Sequence, residues 1–124
     1  MMSLQAGDVV WVPFPHVESN RIQPRPALLV SKVMLGPETS LGWALMITSA
    51  AHAHWPGDIP ITDHLALKLP IPSKVRTEKI ATLDLSQAHY LGTMSLSEYA
   101  TVLTRIATWF TLNKVAGPSP PGFS

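Results

Sequence analysis

The chain has 124 residues, 46% of them apolar and only 14% charged, with a net charge of +1. That length fits a single domain with one buried core; the composition excludes wholesale disorder and a polybasic nucleic-acid binder, and disfavours a very soluble, highly charged monomer. With no cysteine there is no disulfide, no thiolate metal site and no cysteine nucleophile, and the few charges leave apolar surface to be buried in a partner.

Twelve prolines against seven glycines favour short strands and many turns. Gly7-Asp8 is a turn, and Val9 to Phe14, rich in β-branched and aromatic residues, is a strand. Pro15 to Pro24 is a loop, and Ala27 to Ser31 is a central strand, apolar on both faces. Gly36-Pro37 breaks the chain, and Gly42 to Thr48 is a third strand in which Trp43 is expected to pack in the core. Trp55-Pro56-Gly57-Asp58 is a turn, and Ile59 and Ile61 alternate around Pro60 in the manner of an edge strand. Leu69 to Lys74 is a proline-punctuated loop, Val75 to Leu83 a strand pair or one bent strand, and Tyr90-Leu91-Gly92 a closing strand.

The one convincing helix comes last. Ser95 and Glu98 form a capping box. Leu96, Tyr99, Leu103, Ile106 and Phe110 recur at spacings of three or four, widened by Val102, Trp109 and Leu112. The pattern predicts a helix of about 18 residues, roughly 27 Å long at about 1.5 Å per residue. A Pro/Gly-rich tail over 114–124 is expected to be disordered, leaving residues 1–113 as the domain. The expected architecture is mainly β: a small antiparallel barrel or sheet of five to seven strands carrying a C-terminal amphipathic helix. No stretch approaches the roughly 20 apolar residues of a membrane span, and the N-terminus lacks a basic flank and an apolar signal core, so a cytoplasmic location is expected.

The cations cluster in two acid-free segments, Arg21, Arg25 and Lys32 in one, Lys68, Lys74 and Arg76 in the other. If folding joins them, a nearly neutral chain gains a local basic patch; otherwise they are solubilising surface charges. Arg25 lies between Pro24 and Pro26, directly before an apolar strand. Flanking prolines stiffen the backbone, so its guanidinium fork is either presented to a phosphate or carboxylate ligand or paired structurally with one acid. Thr48-Ser49 at a strand end can hold a phosphate oxygen or merely terminate the strand. Arg76 and Glu78, two apart on a strand, share one face if alternation holds. They can act as charge stabiliser and proton carrier, or form an ordinary ion pair. Asp84 is a turn or cap carboxylate. His52 and His54, with Asp58 or Asp63 and His64, could assemble a two-histidine, one-carboxylate metal site, but lack a diagnostic spacing and are more simply loop histidines. His16 is a further loop histidine able to do acid–base work. No glycine-rich phosphate loop, Gly-x-Ser-x-Gly elbow or His-Glu-x-x-His motif occurs.

These pieces fall in a familiar order. Gly7 to Pro15, a variable loop and then Arg25-Pro26-Ala27-Leu28-Leu29-Val30-Ser31 resemble the opening of the MazF/PemK toxins of type II toxin–antitoxin modules. Ile47-Thr48-Ser49, Trp55 to Pro60, Val75 to Asp84, and Leu91-Gly92 before the helix resemble later blocks of that family, so the likeness runs over about residues 6–113. The resemblance implies an SH3-like barrel with a C-terminal helix, a homodimer, a cognate antitoxin partner, and a metal-free, cofactor-free, sequence-specific endoribonuclease acting on single-stranded RNA. Carried over residue by residue, Arg25 matches a phosphate-contacting arginine, Thr48 a threonine at the end of the third strand, and Arg76 and Glu78 an Arg-x-Asp pair. Glu78 is one methylene longer than that Asp, which shifts its reach by about 1 Å. His16 falls in a loop that carries a functional histidine in some members.

On this reading the RNA 2′-hydroxyl attacks its own phosphate. Glu78 is the expected base, Arg25 and Arg76 stabilise charge, and Thr48 donates to the phosphate; the acid is Arg25 or His16. The products are a 2′,3′-cyclic phosphate and a 5′-hydroxyl. His16, Arg21, Ser49, Trp55 and Lys74 are the expected RNA contacts, with Trp55 or Trp43 stacking bases. Two other functions suit the same barrel: a CcdB-like gyrase poison acting by protein contact, and an inactive antitoxin-binding module. A gyrase poison does not need Arg25, Arg76 and Glu78.

Overall fold

The structure is a computed structural model that describes residues 3–15, 22–37 and 39–110. Its strands are β1 (Asp8–Pro15), β2 (Ile22–Leu29), β3 (Val33–Met34), β4 (Ser40–Ser49), β5 (Asp58–Pro60), β6 (Ser73–Asp84) and β7 (His89–Thr93), followed by helix α1 (Leu96–Ala107). Short 3-10 turns occupy Leu65–Leu67 and Leu85–Gln87. The strands form one seven-stranded antiparallel sheet in the order β5-β6-β4-β2-β1-β7, with β3 paired on β4. β1 also touches β6, although β4 and β2 lie between them in that order, so the sheet curls on itself as a small barrel does. The expected architecture of a mainly β domain with a terminal helix is what the chain adopts.

Alternation along the strands gives the sheet two apolar faces. Val9, Leu28, Leu45, Ile47 and Val75 pack with Val102 of α1 in one buried cluster. Their chain neighbours Val10, Ala27, Ala44 and Met46 pack with Val12 and Phe14 in another. Fully burying such a side chain contributes roughly 1.5–3 kcal/mol, so both faces fix the register. Gly7, with φ +96°, takes the left-handed turn that opens β1. Its N–H donates to Leu29 O at 2.7 Å and its carbonyl accepts from Met94 N–H at 2.9 Å, tying the ends of β2 and β7 to that turn.

Three expectations need correction. The helix stops at Ala107 although the apolar spacing runs on to Leu112. Beyond it, the Trp109 indole N–H donates to Thr77 Oγ1 at 3.1 Å, a tertiary contact that competes with continuing the helix. Trp43 is not in the core; it is 52% exposed. Its small neighbours Gly42 and Ala44 take the inward positions, and a Cβ on Gly42 would lie 2.5 Å from a Leu29 methyl. β2 begins at Ile22, so Ile22, Gln23 and Pro24, expected in the first loop, lie in a strand. His16, Arg21 and the 114–124 tail lie outside the described residues.

Val75 to Leu83 belongs to one bent strand. β4 residues Leu45 and Met46 are adjacent, but their partners are Ile80 and Arg76, so Thr77, Glu78 and Lys79 form a bulge in β6. Its placement decides the fate of two expected catalytic residues.

Candidate functional site

Arg25 and Thr48 come together through strand register. β2 pairs with β4 as Ala27↔Met46 and Leu28↔Leu45, and the same register continued past Pro26 sets Arg25 opposite Thr48. The ladder itself begins only at Ala27, beyond the prolines that have no N–H to give. The strand ends are left free to line a cavity of about 490 Å³ bounded by Trp11, Arg25, Thr48, His52 and Lys68. That volume is in the range of small-ligand sites, about 300–1,000 Å³.

Arg25 is the chemically open group in this cavity. Its Nη2 donates to Gln23 Oε1 at a long 3.3 Å. Its Nε is buried and has no partner among the described residues. Among the described residues no carboxylate pairs with it. A buried donor without a partner costs about 1–3 kcal/mol, more where the group is charged, and an anion entering the cavity would satisfy it. Thr48 is buried and stands 2.6 Å, Oγ1 to Nδ1, from His52. Ser49, also at the cavity, turns its Oγ to accept from Ala51 N–H at 3.1 Å. Lys68 caps a 3-10 turn at φ +56°. That left-handed backbone costs a non-glycine residue about 1–3 kcal/mol and is typical of functional loops.

Arg76 and Lys74 are placed differently. Asp58, buried at the start of β5, takes Arg76 Nε and Nη2 at 3.1 Å each and Lys74 Nζ at 3.0 Å. The same cations reach the preceding loop: Lys74 Nζ donates to His52 O at 2.6 Å and Arg76 Nη2 to Ala53 O at 2.5 Å. Trp55 lies over the Arg76 guanidinium at 4.1 Å. Burial works to raise the Asp58 pKa, but hydrogen bonds from Arg76, the Trp55 N–H and Lys74 outweigh it and hold the carboxyl below its usual value of 3.8.

The bulge turns the next residues to the same task. Thr77 Oγ1 donates to Gly57 O at 2.7 Å, and Gly57 N–H donates to Glu78 Oε1 at 2.7 Å. A Cβ at Gly57 would lie 2.3 Å from Thr77 Oγ1, so only glycine admits this approach. Arg76 and Glu78 therefore do not line the Arg25–Thr48 cavity as a catalytic pair; with Lys74 they brace residues 52–58. Lys74 has no free cationic face for a substrate, and one face of Trp55 is taken by Arg76. Sequence reasoning fails here because alternation holds only until a bulge.

Trp11, His52 and Lys68 are cavity residues that the sequence reading did not place at the site. A signal for His52 existed. It follows Thr48 by four residues across a turn closed by its own N–H to Ser49 O at 3.1 Å. Among the described residues no group of three or more potential ligands is placed to hold a metal. His52 and His54 diverge, the former to Thr48 and the latter to within 4.0 Å of Asp58. No described helix is long and apolar enough to cross a membrane.

Comparison with known proteins gives the geometry a context. The family described as PemK-like, MazF-like toxin of type II toxin–antitoxin systems matches residues 5–110. No curated protein matches the chain significantly in sequence. Among solved structures, it resembles MazF (Form-I) from Deinococcus radiodurans with a TM-score of 0.68 and 25% identity, over 88% of this chain and 97% of that one. It resembles MazE–MazF (Form-III) from the same organism at TM-score 0.62 and 26% identity, covering 86% and 94% of the two chains. An endoribonuclease in complex with its cognate antitoxin, from a mycobacterial species, shares the fold at TM-score 0.62 and 20% identity over 86% and 93%. With a family match that spans nearly all the described residues, the chain belongs to the PemK-like, MazF-like toxins of type II toxin–antitoxin systems.

Proposed function

We propose that this toxin is a metal-independent, sequence-specific endoribonuclease that cuts single-stranded RNA, mRNA in the cell, and so inhibits translation and growth. The observation that carries the reading is the buried, unpartnered Arg25 Nε beside Thr48 in an open cavity. The RNA 2′-hydroxyl attacks the adjacent phosphorus and the 5′-oxygen leaves, giving a 2′,3′-cyclic phosphate and a 5′-hydroxyl. Arg25 donates to the non-bridging oxygens as charge builds on phosphorus, Thr48 Oγ1 supplies a further donor, and Lys68 adds positive charge. Trp11, exposed at the cavity, offers a stacking face for a base, as single-stranded RNA recognition requires. Arg76, Glu78 and Lys74 contribute by bracing the loop that carries His52.

The toxin works in the cytoplasm as a homodimer and is restrained by a cognate antitoxin. The amount of apolar side chain left in solvent supports partners of this kind: Leu96 is 86% exposed and Phe110 70% exposed. The deciding experiment incubates purified protein with a long unstructured RNA in EDTA and maps the fragment ends. Discrete cuts with 5′-hydroxyl ends are expected. Intact RNA from folded, antitoxin-free protein would overturn the nuclease reading in favour of a gyrase-type poison or an inactive antitoxin-binding module.

A further inference from the structure

We propose that His52 is the general base of the cleavage reaction, working as a pair with Thr48. The inference rests on the nuclease reading. It fills a place left vacant at the cavity, because the sequence-expected base, Glu78, is engaged by Gly57 N–H and does not line it.

Three observations carry the assignment. The turn after β4 brings the His52 ring back onto Thr48, with Nδ1 2.6 Å from Oγ1. The same ring lines the cavity with Arg25 and Lys68. The backbone that presents it is gripped from beneath, its carbonyl by Lys74 Nζ and the next carbonyl by Arg76, both anchored on Asp58. A histidine at an idle surface turn has no need of two buried cations to fix its carbonyls. This one is held as a proton carrier in a preorganised site is held.

The chemistry follows from the ring's two nitrogens. When Nδ1–H donates to Thr48 Oγ1, Nε2 keeps its lone pair free. Nε2 takes the 2′-hydroxyl proton as the O2′–P bond forms, and the P–O5′ bond breaks. The departing 5′-oxygen takes a proton from solvent water, and His52 returns its proton to solvent. No water is consumed overall. The Thr48 hydrogen, turned away from His52, is free to meet a non-bridging phosphoryl oxygen, with Arg25 Nε beside it.

The test compares the parent protein with His52→Asn on one cleavable RNA. The Asn amide keeps a donor near the position of Nδ1 but offers no basic nitrogen. The expected result is a rate lower by roughly a hundred- to ten-thousand-fold, with unchanged affinity for an RNA carrying a 2′-deoxy nucleotide at the cleaved position. A second substrate, with sulfur replacing the bridging 5′-oxygen, leaves without needing an acid. The His52→Asn defect should persist in full on it, and a defect erased there would make His52 the acid and overturn the assignment. His52→Asn cleaving within about threefold of the parent would overturn it as well, as would a loss of binding that accounts for the whole defect. A parent protein that cuts no RNA would instead defeat the nuclease reading itself, so the two failures are distinct.

Discussion

Arg25 and Arg76 are the same residue type put to opposite uses. Arg76 is buried with a carboxylate, a backbone carbonyl and an aromatic face around its guanidinium. Arg25 stands at a cavity and, among the described residues, has a single long hydrogen bond and a buried Nε without a partner. Both looked suited to phosphate chemistry in the sequence. The difference teaches that the donors left unsatisfied, rather than the presence of the charge, mark where a ligand belongs. Arg76 belongs to the scaffold, and its loss should be read in stability. Under the proposed nuclease function Arg25 serves the reaction, and its loss should be read in rate.

The sharpest break of this comparison is at Asp58. Asp58→Ala leaves the buried Lys74 and Arg76 without their counter-charge. Removing one partner of a buried ion cluster costs about 3–5 kcal/mol, a large share of a typical total of about 5–15 kcal/mol. Urea unfolding followed by tryptophan fluorescence should show that loss. A loss under about 1 kcal/mol would mean that water already solvates the cluster and that Arg76 is not a scaffold residue in the sense drawn here.

Arg25→Ala is the complementary experiment. Losing one donor aimed at the developing charge costs roughly a hundred- to a thousandfold in rate, about 2.7–4 kcal/mol. The folded stability should stay within about 1 kcal/mol of the parent, because only the Gln23 bond is lost. A variant that unfolds as readily as Asp58→Ala would erase the distinction between the two arginines.

How much of this was legible beforehand follows the same division. Arg25 and Thr48 were each legible, Arg25 from its flanking prolines and Thr48 from its strand end, but the β2–β4 register that sets them opposite one another is a long-range pairing seen only in the fold. β5, the edge strand that ends at Pro60, was readable from its local pattern. Arg76 and Glu78 were misplaced because β6 bulges at Thr77–Lys79, and no residue there announces a bulge. Trp43 was assigned inward from its place in mid-strand, whereas Gly42 and Ala44 took the core positions for want of space. The helix was drawn too long because a periodic stripe does not reveal that Trp109 is claimed by Thr77. His52 was read as a metal ligand or a plain loop histidine, because the turn that folds it back onto Thr48 is not encoded in periodicity.

Acid gives the finest test of the contrast. The Asp58 carboxyl is held below its ordinary value of 3.8 by its cationic partners, against the opposing effect of burial. A group with a lowered folded pKa stabilises the fold fully above its unfolded value and loses that contribution as the pH falls through the folded one. The stability gap between the parent and Asp58→Asn should therefore be constant from neutral pH down to about pH 5, and narrow below about 3.8 as the parent's carboxylate takes up a proton. Arg25→Ala, whose guanidinium holds no carboxylate among the described residues, should track the parent over the whole range. Urea midpoints measured at half-unit steps from pH 7 to pH 3 read both curves. A gap that stays constant down to pH 3 would show that the cluster does not depend on the Asp58 charge, and the two arginines would then differ only in exposure.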